Sequence, residues 1–474
     1  MIEVRRPAQY TLGHGLIQEQ TADLWEPWMR HADKALEDEK LLLLIQQELM
    51  KRLKKSKTCG RKGTPVEVVL RMLLLKHVRD WSFEVLSREV RANLVYRDFT
   101  RIGADKVPDD KTMGNLARQL GPAVVERIHQ RMVEIAVENK IVSGGKMRVD
   151  TTVVETNIHY PTDSTLLGDG VRVLIRVMKR VTEVAGQVGA KLCDRSRSVK
   201  RKVLAIARAS RNKTQAGQKK MKAAYLRLIA TTSRVVGDAK KFVREIAAGI
   251  KKGKRKILRK ARRELEQMIP RVQQVLRQTR ERVVRGNTKA ANKIFSVFEA
   301  HTELIRKGKT HKPNEFGQLV LLQEADNQVV TAYQVCRQRP ADSTLLIPAL
   351  EKHVQIFGHA PQDVAADPGF FSAANEAQAG KMGARRVSIP SHGTKSKARK
   401  ERQKKPWFKE LQKWRTGCEG RISVLKRRHG LNRSRYKGPN GIQCWVGWGV
   451  IADNLIQIGT QLAKANPPAS PTLM

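Results

Sequence analysis

Apolar positions along the chain change their spacing three times. The run VEVVLRMLLLKHV from Val66 has helical spacing, and Thr64-Pro65-Val66-Glu67 before it places a capping Thr, a Pro at the first helical position and a Glu three residues after the cap. Helical patterns follow from Ser82 and, after Pro108-Asp109-Asp110, in KTMGNLARQLG. Together they predict a compact all-helical unit. Ahead of it, ALEDEKLLLLIQQELMKRLKK predicts one more helix. At Lys146 the text changes to β-branched residues, and MRVDTTVVET reads as a strand with Asp150 inside it. After Pro161 helical spacing resumes to about residue 300. Val173, Leu174, Val177, Met178 and Val181 mark one apolar face. Leu258, Ala261, Leu265, Met268, Val272, Val275 and Leu276 mark another, with Pro270 predicting an interruption.

From residue 316 strand patterns return. FGQLVLLQ and QVVTAYQVC flank the turn-rich Glu324-Ala325-Asp326-Asn327, which predicts a hairpin. Then come a helix (STLLIPALEKHVQIF), a short strand (DVAADPGF), a helix (SAANEAQAG) and a strand (ARRVSIP). A Lys/Arg-rich loop at 391–405 precedes a long helix at about 406–429, and a last apolar helix covers about 446–464. With 160–310 set aside, five strands alternate with helices, an α/β layer pattern. The heptapeptide Pro-x-Asp-Ser-Thr-Leu-Leu occurs at 161–167 and at 340–346, and both copies read as helix starts capped by Asp or Ser.

Charge adds a partner to this picture. The 474 residues carry a formal +47. Residues 191–290 hold +26 of it and residues 381–440 hold +17, leaving +4 on the remaining 314. Two basic blocks on a nearly neutral scaffold attract polyanions, and with no run of apolar residues long enough for a membrane span, nucleic acid is the expected partner. Five scattered cysteines without a CxxC pair fit neither a disulfide framework nor a zinc ribbon. A cytoplasmic protein without a membrane partner is expected.

Three carboxylates stand at telling points. Asp150 lies in the first strand, Asp367 where Asp367-Pro368-Gly369-Phe370 ends the fourth, and Glu419 on the long helix after the fifth. Ligand sites in open α/β sheets gather at the carboxyl ends of strands. Carboxylates converging on one point repel unless a hard divalent cation, Mg²⁺ or Mn²⁺, neutralises them. On the long helix Glu419 and Lys426 fall about 40° and 20° from Arg415 around the axis, one narrow stripe suited to a phosphodiester. A solvated Arg–Glu pair has the same spacing. Asp150 and Asp367 taken singly also read as turn or capping residues. Glu155, Asp163 and Asp363 read as caps or surface charge, and His159 and His429 as exposed loop residues. Cys418 reads as packing.

These residues resemble a known family. Arg415-xxx-Glu419-xxxxxx-Lys426 matches the R(3)E(6)K part of the YREK signature of bacterial insertion-sequence DDE transposases. Val149-Asp150-Thr151-Thr152 resembles the family's first Asp motif and Ala366-Asp367-Pro368-Gly369-Phe370 its second. The helical unit with Val107-Pro108-Asp109-Asp110-Lys111-Thr112 is similar to the N-terminal domain common in such proteins. One departure is visible: the signature's Tyr falls on Gln412, with Trp407 and Trp414 as nearby aromatics.

The resemblance implies an RNase H-like five-stranded mixed sheet with flanking helices and an all-α N-terminal domain; the large basic helical insertion after the first strand is larger than in minimal members, and its role is not carried over. The implied division is an N-terminal extension at 1–59, a helical DNA-binding domain at 60–140, a catalytic domain at 141–160 and 310–465, a basic insertion at 161–309, and a flexible tail at 466–474. Asp150, Asp367 and Glu419 are the implied catalytic and metal-binding triad for two Mg²⁺ or Mn²⁺ ions. Arg415 and Lys426 would position a strand of double-stranded DNA, and Lys395, Lys397, Arg399 and Lys400, in the loop before the catalytic helix, would track its backbone. The implied reaction is cutting at the element's terminal inverted repeats and joining to target DNA, by a homodimer on DNA near the bacterial nucleoid. An RNase H-like nuclease without strand transfer and a non-catalytic DNA-binding derivative are the rivals.

Overall fold

The β-branched run opening at Lys146 forms one of the two ten-residue buried strands of a mixed sheet. In chain order the strands are β1 (Lys146–Glu155), β2 (Glu303–Ile305), β3 (Glu315–Glu324), β4 (Val330–Val335), β5 (Asp363–Ala366) and β6 (Arg386–Ser388). This computed structural model describes residues 3–5, 12–21, 23–51, 63–185, 192–248, 255–306, 312–391 and 393–465; the expected tail at 466–474 lies outside the described residues. The chain divides into two units, Met1–Asn157 with Gly317–Met474, and Ile158–Phe316. The architecture is mixed α/β and mostly helical.

In the first unit the strand order is β4-β3-β1-β5-β6. β3 runs antiparallel to both β1 and β4, whereas β5 is parallel to β1 and β6 parallel to β5. The expected β3–β4 hairpin forms, closed by Asn327 and Gln328 at φ of 52° and 62°. Asn adopts this left-handed backbone more readily than Gln, and Asn327 is further anchored by its amide, which donates to the Ile141 carbonyl at 2.7 Å. Apolar side chains of β1, β3 and β4 pack against Leu425, Leu431, Trp445, Val446 and Val450, so the last helix, Gly438–Ala465, covers this part of the sheet. The same helix shares a second core, through Trp448, Ile451 and Leu455, with the N-terminal helices.

Those N-terminal helices are Pro27–Leu36, Glu39–Lys51, Val66–Val78, Phe83–Ala92, Leu94–Phe99, Asp110–Gln119 and Pro122–Glu138. Ser82 and Asp109 cap as their sequence positions predict, accepting from Val85 N and Thr112 N. Thr64 does not cap. The helix begins one residue later, and its first amides donate to the carbonyls of Glu3 and Val4, a long-range solution that local sequence does not reveal. The stretch ALEDEKLLLL breaks into two helices at Glu37–Asp38, where the Asp38 carboxylate caps Leu41 N.

In the second unit, helices Asp163–Ala185, Ser196–Ala209, Gln215–Ala248 and Arg255–Arg285 enclose a core of their own. The apolar stripes expected from sequence are buried in it, apart from the half-buried Met268. Pro270 does not interrupt the last of these helices. Its cost of about 3 kcal/mol is outweighed because Leu265, Ile269, Val272 and Val275 are buried on both sides of it. The basic residues Lys200, Arg208, Lys213, Lys219, Lys220 and Lys222 face solvent.

Candidate active site

Parallel pairing of Val149 with Ala366 makes Asp150, midway along β1, and Asp367, just past the end of β5, the next residues along two adjacent strands. Asp150 is 8% exposed, and its Oδ1 accepts from Thr151 N at 2.7 Å. Asp367 leaves β5 and caps the short turn Pro368–Phe370, accepting from Gly369 N at 3.0 Å. The turn forms because Pro368 fixes φ and supplies no donor of its own.

The long helix Pro406–Arg428 brings the third acid. Arg415 lies 3.6 Å from Asp150 Oδ2 and donates to Glu419 Oε1 at 2.9 Å. The Arg–Glu pair is therefore more than a solvated couple: its guanidinium bridges a strand carboxylate and a helix carboxylate. Glu419 is 64% exposed, turned toward this arginine. Among the described residues, no three Asp, Glu, His or Cys side chains are gathered closely enough to hold a metal ion. Lys426 lies two turns further along the same helix, half-buried.

Two contacts seat this helix. Arg148, two residues before Asp150, donates to Glu324 and to the Trp414 carbonyl, and its guanidinium lies 4.8 Å from the Trp414 ring centroid. Gly417 permits this, since any side chain there would strike the guanidinium. Burial pushes the Glu324 carboxyl up, and Arg148 opposes it. Gln412, at the position of the signature's Tyr, donates from Nε2 to Ser388 O at 2.7 Å, Ser388 Oγ at 3.0 Å and Ala366 O at 3.3 Å. It thus ties the helix to the ends of β5 and β6, one residue before Asp367. Trp414 is accounted for by Arg148, and Trp407 lies against Arg402 and Phe408.

Several expectations need correction. The basic stretch at 391–405 is not all loop: Ser396 caps a helix, Lys397–Lys404. Arg399 is 10% exposed, ion-paired with Glu376, bonded to the Ile389 carbonyl and laid over Phe371, so it buttresses the fold. Lys395, Lys397 and Lys400 are exposed. His429 follows the end of the helix Pro406–Arg428 but is buried, between the His77 carbonyl and Asp453, and not exposed. Glu155 and Asp363 are buried ion-pair partners of Arg433 and Arg386, and Asp163 pairs with Arg282. Cys418 is packing, as expected; burial pushes its thiol up, and the charges of Glu324 and Asp150 add to the shift.

The two heptapeptides also part company. At 161–167 the cap is Thr162, accepting from Thr165 N at 3.2 Å. At 340–346 no side chain caps the helix Leu346–Phe357. Instead Asp342 Oδ1 accepts from Thr151 Oγ1 at 3.1 Å, beside Asp150. An Asp that caps a helix and one that bonds across the fold look alike in one dimension.

No curated protein and no solved structure matches the chain. Two family models do. Residues 376–459 match a transposase DDE domain, a span that includes Arg415, Glu419 and Lys426 and begins after Asp367. Residues 28–119 match a transposase domain of the DUF772 type. Both matches are to transposase domains, the DUF772 type ahead of the DDE domain, and are consistent with an insertion-sequence DDE transposase that has an N-terminal helical domain.

Proposed function

We propose that the chain cuts phosphodiester bonds at the ends of an insertion sequence and joins the freed 3′-hydroxyl to target DNA, with Asp150, Asp367 and Glu419 as its essential acids. The observation that carries this reading is the placement of Asp150 and Asp367 each one residue past the Val149–Ala366 pair of two adjacent parallel strands, with Arg415 linking Asp150 to Glu419. The strand order, three antiparallel strands followed by two parallel ones, supports an RNase H-like core. The proposed division of the chain is that implied by the resemblance, with 60–140 as the helical domain, 141–160 and 310–465 as the catalytic domain and 161–309 as the insertion.

The donors fit hard divalent ions: they are all carboxylate oxygens, and Gly369 leaves open the space beside Asp367 that a side chain would fill. Asp150 and Asp367, with Glu419, would hold Mg²⁺ or Mn²⁺, two ions in all, which supply Lewis acidity and an activated nucleophile at neutral pH. In the first step a water oxygen adds to phosphorus, its proton passes to solvent, and the bond to the 3′-oxygen breaks. In the second that 3′-oxygen adds to a target phosphorus and expels a target 3′-oxygen, with no covalent protein intermediate. Arg415 neutralises Asp150 and Glu419 until DNA arrives, and with Lys426 it then meets the strand's phosphates. Lys395, Lys397 and Lys400 follow the backbone, and the basic helices of the second unit grip flanking duplex without reading sequence. Two ends must be joined, so a homodimer on DNA near the nucleoid is the assembly we infer. No helix among the described residues is long and apolar enough to cross a membrane.

The test is a transfer assay on labelled duplexes carrying the repeats that flank the gene, with Mg²⁺ and a target plasmid. Joined products support transposition. Cut ends alone indicate a nuclease, and binding without either product a non-catalytic derivative.

A further inference from the structure

We propose that Asp342 is a fourth carboxylate of the active site, holding a divalent cation together with Asp367; the inference rests on the metal-dependent reading above. Asp342 lies in a short turn, Asp342–Thr344, between β4 and the helix Leu346–Phe357. Three observations place it in the site. First, its Oδ1 accepts from the Thr151 hydroxyl at 3.1 Å, while the Thr151 amide donates to Asp150. One threonine therefore links the two acids.

Second, Asp342 and Asp367 face one point in space. A carbon built where Gly369 lacks its Cβ would stand 3.0 Å from Asp342 Oδ2 and 3.2 Å from Asp367 Oδ1. Gly369 does not occupy the left-handed backbone region, so its conformation does not require glycine. What a side chain would remove is the gap between the carboxylates. Third, the two turns are locked together. Asn375 Nδ2 donates to the Ser343 carbonyl at 2.6 Å and to the Phe370 carbonyl at 3.0 Å, one bond to each turn.

The electrostatics ask for a cation. Asp163, the counterpart of Asp342 in the other heptapeptide, is neutralised by Arg282. Asp342 has no such partner: among the described residues no Lys or Arg forms an ion pair with it. A carboxylate held toward a second one by a hydroxyl and a double amide clamp, with no basic partner, is favoured when a hard cation lies between them. A residue that only shaped the turn would need neither charge nor this orientation.

The experiment is direct Mn²⁺ binding by the full chain, measured from the free-ion electron paramagnetic resonance signal, with and without a duplex bearing the element end. Wild type, Asp342→Asn, Asp367→Asn and Gly369→Ala are compared, and end cleavage is followed against Mn²⁺ concentration. We expect Asp342→Asn and Gly369→Ala each to weaken Mn²⁺ binding at least tenfold. Both should shift half-maximal cleavage to higher Mn²⁺, with DNA affinity and thermal midpoint near wild type. If Asp367→Asn loses Mn²⁺ while Asp342→Asn keeps wild-type affinity, Asp342 is outside the metal site and only this inference fails. A wild type that binds no Mn²⁺ in either condition, or one whose binding survives all three substitutions, removes the metal-dependent reading and this inference with it.

Discussion

Lys76 is a charged group whose titration is moved chiefly by burial. It lies on the helix Val66–Val78, 2% exposed, with its ammonium 4.8–5.2 Å from the ring centroids of Trp445, Phe83 and Tyr436. Burial pushes it down to about 7; Arg435 adds to the shift and Asp80 opposes it. An unfolded chain keeps this lysine protonated to about 10.4, so between the two values the unfolded state binds the extra proton. Stability contributed by the site therefore rises with pH from about 7 upward and is flat below. Lys76→Met, whose thioether packs well among rings, should raise the urea midpoint at pH 7 and flatten its rise toward pH 10. Parallel pH profiles for the two proteins would show that Lys76 does not titrate in this window. At this scale the sequence was only partly legible. The strand position of Asp150 and the turn position of Asp367 were legible because strand and turn signals are local. The contacts of Asp342, Gln412 and Arg399 were not, because their partners lie 191, 24 and 23 residues away.

The helix Pro406–Arg428 is the element on which the account turns. Its length and basic face were plain from sequence, and so was the stripe of Arg415, Glu419 and Lys426, since helical period fixes which side chains share a face. How it sits on the sheet was not, because seating depends on Arg148, Glu324 and Gln412 meeting across the fold. Gln412 is the tie nearest the chemistry. Gln412→Leu leaves the Ala366 and Ser388 carbonyls without their donor, which costs about 1–3 kcal/mol for such a buried group. The expected outcome is a modestly lower melting midpoint and cleavage reduced by at least tenfold, with DNA affinity unchanged. Wild-type cleavage in this variant would mean that Asp367 is held well enough by its own turn. The Pro270 helix carries the opposite lesson. There a local rule was correct in sign, but burial along the helix outweighed it.

For the whole molecule, the charge distribution divides the labour. The +17 of residues 381–440 lies on and just before the Glu419 helix, less Arg399 and other residues spent on internal ion pairs. The +26 of residues 191–290 lies in a unit with its own core, whose basic side chains are free to face solvent. If those side chains bind duplex phosphates, each contact releases counterions and contributes about −0.9 to the slope of log K against log salt. Replacing Lys219, Lys220 and Lys222 by Gln should weaken DNA binding and flatten that slope by one to three such increments. The core is untouched, so the fold should survive; an unchanged slope would place the duplex elsewhere.

The central claim concerns acids rather than charge, and one measurement tests it most directly. Asp150→Asn, Asp367→Asn and Glu419→Gln are compared with wild type in the labelled-end transfer assay with Mg²⁺, alongside a binding titration on the same duplex. The account predicts joined products from wild type, neither cut nor joined products from any of the three, and duplex affinity within a few-fold throughout. Cleavage at the wild-type rate by any one of these variants would contradict its place in the active site.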